Sequence, residues 1–128
     1  MKQKEIKALM VEPGKAPVVT TLKNDLRSLQ EAVSIGADYV GLIEIISIDE
    51  NICILCNEEG KLIGLEPNRR FYNDVLVGVF YVVSEDGNGN LTSLPQKSID
   101  YYTKYFSKIE DLTTEDVERA TVIHFFTD

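Results

Sequence analysis

The sequence predicts a single α+β domain over residues 1–128, with two or three helices packed on a mostly antiparallel sheet. Three observations carry this reading. Val75 to Val83 (VLVGVFYVV) is apolar at nearly every position, as a central strand covered on both faces requires. Several shorter β-branched runs, separated by turn residues, supply neighbours for it. Two stretches space their apolar residues by three or four, the period of a helix with one buried face.

Ile6 to Val11 is an apolar run that ends at the turn signal Glu12-Pro13-Gly14, and Pro17 to Leu22 is β-branched enough to return as a second strand. Leu22, Leu26, Leu29 and Val33 then mark an amphipathic helix over Asn24 to Ser34, with Asn24 at its cap and Gly36 beyond its end. Residues 38–48, 52–56 and 61–65 read as a three-strand meander broken at Asp49-Glu50-Asn51 and at Asn57-Glu58-Glu59-Gly60. Ser93-Leu94-Pro95-Gln96 has the form of a capping box, and Ile99, Tyr102, Phe106 and Ile109 place one face of a second helix after it. Thr113-Thr114-Glu115-Asp116 fits the start of a third helix, whereas Thr121 to Phe126 is β-branched and aromatic; helix and strand both remain open for 114–126.

The chain has 128 residues, 44% of them apolar, enough for one core. Its 13 basic and 21 acidic residues leave a net charge of -8, which opposes direct binding to nucleic acid or to an anionic membrane. The longest apolar run falls well short of the ~20 residues of a membrane span. The N-terminus lacks the apolar core of a signal peptide, so a cytoplasmic protein is expected.

Cys53 and Cys56 form a C-x-x-C, but they lie on an expected strand, where residues three apart point to opposite faces. They are read as reduced packing residues, and neither a metal nor a cofactor is expected. Asp86-Gly87-Asn88-Gly89-Asn90 imitates the start of a calcium loop, yet Leu91 and Lys97 stand where that loop needs its glycine and its bidentate glutamate. It is read as a hairpin loop. Glu44, among Val40, Leu42, Ile46 and Ile48, would be a general acid or base if buried, and His124 is the lone histidine. Neither has a recognisable catalytic companion, so no catalytic residue is assigned.

Gly64-Leu65-Glu66-Pro67-Asn68-Arg69-Arg70-Phe71-Tyr72 is the most informative segment. A stiffening proline, two guanidiniums and an aromatic pair suit a phosphate or carboxylate held by arginine while a ring stacks on a base. Asn57, Asn68, Arg69, Arg70 and Tyr72 are the ligand-binding residues of this reading; in the competing one, Arg69 or Arg70 neutralises carboxylates such as Glu44, Glu58 or Glu66. A second function class rests on charge. Residues 38–59 hold six acidic residues and no lysine or arginine, and residues 109–128 hold six against one arginine, faces suited to a basic protein partner or to mimicry of DNA.

Met10-Val11-Glu12-Pro13-Gly14-Lys15, the central CNEEGKLIGLEPNRR of Cys56 to Arg70, and Val77-Gly78-Val79-Phe80-Tyr81-Val82-Val83 occur in that order. Together they resemble a family of small bacterial and phage proteins, domain of unknown function 3846, over about Lys7 to Phe106. The resemblance implies an α+β domain carried by phages, plasmids and other mobile elements, often among accessory genes, with no established activity. Its pattern runs through Cys56, Asn57, Glu59, Gly60, Gly64, Leu65, Pro67, Asn68 and Arg69. Cys53 and the extension at 107–128 lie outside it.

Overall fold

The computed structural model describes residues 3–127, with side chains described as far as Ala120. It is an α+β fold built on an antiparallel sheet. Strands β1 (Glu5–Val11) and β2 (Val18–Lys23) form the expected first hairpin, in register from Glu5 opposite Lys23 to Met10 opposite Val18. Helix α1 (Leu26–Ala32) follows. Its cap is Asp25 rather than Asn24: the Asp25 carboxylate accepts the Ser28 N–H at 2.8 Å. Asn24 is instead buried, donating from Nδ2 to the carbonyls of Gln3 and Leu91.

Strands β3 (Ile43–Asp49) and β4 (Ile52–Asn57) give the first two members of the expected meander, β3 starting later than expected because residues 38–42 are irregular. The third member is absent. Residues 61–65 form tight turns, with the Ile63 and Leu65 amides donating back to the Glu59 and Gly60 carbonyls at 3.0 and 2.9 Å. Asn57 Oδ1 also accepts the Glu59 N–H, so short-range bonds at this polar, glycine-containing corner replace a ladder.

The long apolar run is likewise two strands, not one. Strand β5 (Pro67–Phe71) pairs with β6 (Asp74–Val77) in a separate two-stranded sheet, and β7 (Phe80–Glu85) takes the centre of the main one. The break is Gly78, at φ +68, where a Cβ would stand 2.8 Å from Leu65 Cδ1. Its N–H donates to the Glu66 carbonyl at 2.7 Å, tying the break to the start of the hairpin.

The main sheet runs β2-β1-β7-β4-β3, and a short β8 (Leu91–Thr92) extends β7. Strand β7 is buried on both faces, as its composition requires. One face packs Ile6, Ala8, Leu55, Tyr81 and Val83 against Leu29 and Val33 of the α1 region. The other packs Leu9, Ile54, Phe80 and Val82 against helix α2 (Gln96–Tyr105), whose Ile99 and Tyr102 point inward with Phe106 just beyond. The expected capping box is not formed. Ser93 Oγ accepts the Lys7 N–H at 2.8 Å, Pro95 occupies the cap position without a side-chain bond, and Gln96 donates to Asp100. Ile109, expected on that helical face, lies beyond the helix and is exposed. The C-terminal segment resolves as helix α3 (Thr114–Thr127), where Val117 and Ala120 pack near Val75 and Val77 of β6.

Candidate functional site

The β5–β6 hairpin holds the two arginines, and a bulge decides their fates. Pro67 pairs with Val77 and Arg69 with Leu76, so Asn68 is the extra residue on β5. The alternation of side chains is interrupted there. Asn68 and Arg69 both turn inward, at 0% and 1% exposure, and Arg70 returns to the surface.

Asn68 Nδ2 donates to the Val11 carbonyl at 2.9 Å and the Gly78 carbonyl at 2.8 Å. Its Oδ1 accepts from Arg69 Nη1 at 2.7 Å. Arg69 Nε donates to the Phe106 carbonyl at the end of α2, and Nη2 to the Lys15 carbonyl after β1, at 3.1 and 2.7 Å. The guanidinium thus joins three parts of the chain and sits at the negative end of the α2 dipole. Burial pushes its pKa below the ordinary value, and Glu110 nearby opposes that shift. Its direct bonds are to carbonyl oxygens and to Asn68, with no carboxylate among them.

Arg70 differs in every respect. Its backbone N–H donates to Glu110 Oε2 at 2.7 Å, while its exposed guanidinium meets Asp116 of α3 at 3.4 Å. Arg119, one turn further along α3, lies 3.8 Å from the same carboxylate and bonds Glu115 at 2.7 Å. Asp116 is held by the N–H and hydroxyl of Thr113, bonds that, with the two arginines, lower its pKa. Arg70, Tyr72, Asn73, Asp116, Arg119 and Ala120 line a cleft of about 160 Å³.

Tyr72 divides this cleft from a second one. It occupies the hairpin tip at φ +55 and is 79% exposed. A bulky residue rarely adopts that conformation, and the neighbouring Asn73 is the type that tolerates it more readily. On the far side, Asp49, Phe71, Tyr72, Tyr101, Tyr102 and Tyr105 line a groove of about 220 Å³, with Phe71 4.6 Å from Tyr72 between ring centres. Tyr101 and Tyr105 stack at 6.2 Å, and both are exposed.

Of the residues selected from sequence, only Arg70 and Tyr72 meet at this surface. Asn57 is buried elsewhere, where its Oδ1 shapes the 57–60 turn and its Nδ2 donates to Ser34 Oγ. Arg119, Tyr101 and Tyr105 were missed; three tyrosines within residues 101–105 were the available signal for the last two. Glu44 is exposed on β3 rather than buried. The His124 side chain lies outside the described residues. Asp86 accepts from the backbone of Asn88 and Asn90 and from Asn90 Nδ2, so its oxygens are engaged in the expected hairpin loop.

Cys53 and Cys56 fall into opposite cores of the sheet, as strand alternation requires. Burial, reinforced by Glu85, pushes the Cys53 thiol up to about 11; burial, reinforced by Glu44, pushes Cys56 up to about 12. At pH 8 the thiolate fraction is therefore about one in a thousand or less. Both thiols are expected to react with an aromatic disulfide reagent only as the chain unfolds, in step with loss of circular dichroism. A thiol that reacts rapidly in the native protein would contradict this.

Among the described residues no helix is long and apolar enough to cross a membrane, and no group of three metal-ligating side chains occurs. Comparison with curated proteins and with solved structures finds no match. The model of a domain of unknown function, DUF3846, matches residues 6–107, and the chain belongs to that family.

Proposed function

We propose that this chain is a non-catalytic binding protein among the cytoplasmic accessory proteins of a phage or other mobile element, and that it takes a small anion of the nucleotide class. The observation that carries the reading is Tyr72: an exposed ring at a positive φ separates an arginine cleft from a tyrosine groove. Backbone strain of this kind persists where the side chain is needed. A base stacks on Tyr72 and Tyr105 while its phosphate takes guanidinium N–H groups of Arg70 and Arg119. Asp116 holds both arginines in place and, with Glu110 and Glu115, keeps the site from becoming a track for a long polyanion. The net charge of -8 acts in the same direction. Two free, buried cysteines fit a reducing compartment.

The chain has six tyrosines and no tryptophan, so base stacking is read directly as quenching of tyrosine fluorescence across a panel of nucleotides. Tyr72→Asn relieves backbone strain of ~1 kcal/mol and loses a ring contact worth ~0.5–1.5 kcal/mol. The two nearly offset each other. Stability is expected to stay within about 1 kcal/mol, while affinity falls about tenfold or more; Arg70→Gln is expected to weaken affinity similarly. Wild-type quenching retained in both variants would end this reading.

A further inference from the structure

Among the described residues no strand pairs with the outer edge of β3 in the main sheet, and the chemistry of this edge differs from that of the other. In the β3–β4 pair, the Glu58 N–H bonds the Leu42 carbonyl at 2.9 Å. Antiparallel alternation then directs the backbone groups of Glu44 and Ile46 toward β4 and those of Ile43, Ile45 and Ser47 outward. A register shift between Ser47 and Asp49 ends this outward row. Edges that avoid pairing usually carry lysine or proline. The opposite edge, β2, follows Pro17 and ends on Lys23, whereas Ile43–Asp49 has neither residue type.

Side chains on the two faces of β3 specify what it would accept. On the α1 face Ile45 is 58% exposed, beside a groove of about 230 Å³ formed with Leu26, Leu29, Ile43, Leu55 and Leu91. On the other face stands Glu44, within the stretch 38–59 that has six acidic residues and no basic one. We propose that β3 receives an extended segment of a basic partner protein as an added strand, with its apolar residues over Ile45 and its alternate lysines or arginines facing Glu44. Main-chain bonds supply affinity in this mode, and the alternating side chains supply selectivity. Asp49 at the end of β3 lines the tyrosine groove, but the outward row from Ile43 to Ser47 contains no residue of the arginine cleft or of that groove, so strand addition is tested independently of the nucleotide.

The probe is a short labelled peptide alternating lysine and valine, followed by anisotropy against the full chain. It is expected to bind, and to bind less well as salt rises. A version with glutamate for lysine is expected not to bind, and one N-methylated at the pairing amides to bind about tenfold more weakly or worse. Ile45→Lys, at an exposed position, is expected to keep the thermal midpoint and weaken peptide binding to the same degree; Tyr72→Asn leaves it unchanged. Equal binding of the N-methylated peptide would show charge attraction without strand addition and overturn the proposal. So would unchanged binding by Ile45→Lys. Dimerisation of the chain alone, abolished by Ile45→Lys in sedimentation, would assign the edge to a second copy and overturn it equally.

Discussion

Arg69→Met is expected to cost about 3–5 kcal/mol, a large share of the stability of a domain this size. Methionine fills much of the arginine's volume, so the loss isolates polar bonding from the cavity that alanine would add. The Lys15 carbonyl, in a part-buried bond, would lose its donor but could turn to solvent, whereas two acceptors would be stranded in the interior: the Phe106 carbonyl and Asn68 Oδ1. Each carries a desolvation cost of about 1–3 kcal/mol once its donor is gone. Arg69→Lys is expected to recover little, because an ammonium cannot span acceptors arranged for a planar fork. Urea unfolding followed by circular dichroism measures both. A loss under about 1 kcal/mol for Arg69→Met would mean that water replaces the guanidinium and that the site is more open than the geometry indicates.

Asn68→Ala is expected to cost about 2–4 kcal/mol by the same method. Its amide satisfies two carbonyls from different strands regions, Val11 and Gly78, while its oxygen orients Arg69. Because the two residues share one network, the double variant Asn68→Ala with Arg69→Met should lose at least ~1 kcal/mol less than the sum of the singles. Additive losses would show that Asn68 and Arg69 act separately. Neither substitution bears directly on the proposed ligand surface, so any binding defect in them is to be judged against folded fraction.

Where local pattern suffices, sequence and structure agree. The first hairpin, the Cys53/Cys56 alternation, the inward face of Ile99 and Tyr102, and the loop at Asp86 all follow from periods of two and 3.6 or from turn chemistry. The disagreements share a cause. At 61–65 an apolar, β-branched composition yields to hydrogen bonds made within a few residues, and at Gly78 a continuous apolar run is divided between two sheets. Ser93 has the right spacing for a cap but bonds Lys7, 86 positions away, a partner no local window contains.

Composition and periodicity alone determined the α+β class and the placement of the two cysteines on opposite faces, because these depend only on which face a residue presents. They also marked Arg69 and Arg70 as the concentrated cationic point of an acidic chain. Which of the two would reach the surface was settled by tertiary structure. The bulge at Asn68 turns Arg69 inward to carbonyls 37 and 54 positions away and leaves Arg70 beside Tyr72 at the surface. Adjacent and chemically identical, the two differ only through partners brought together by folding.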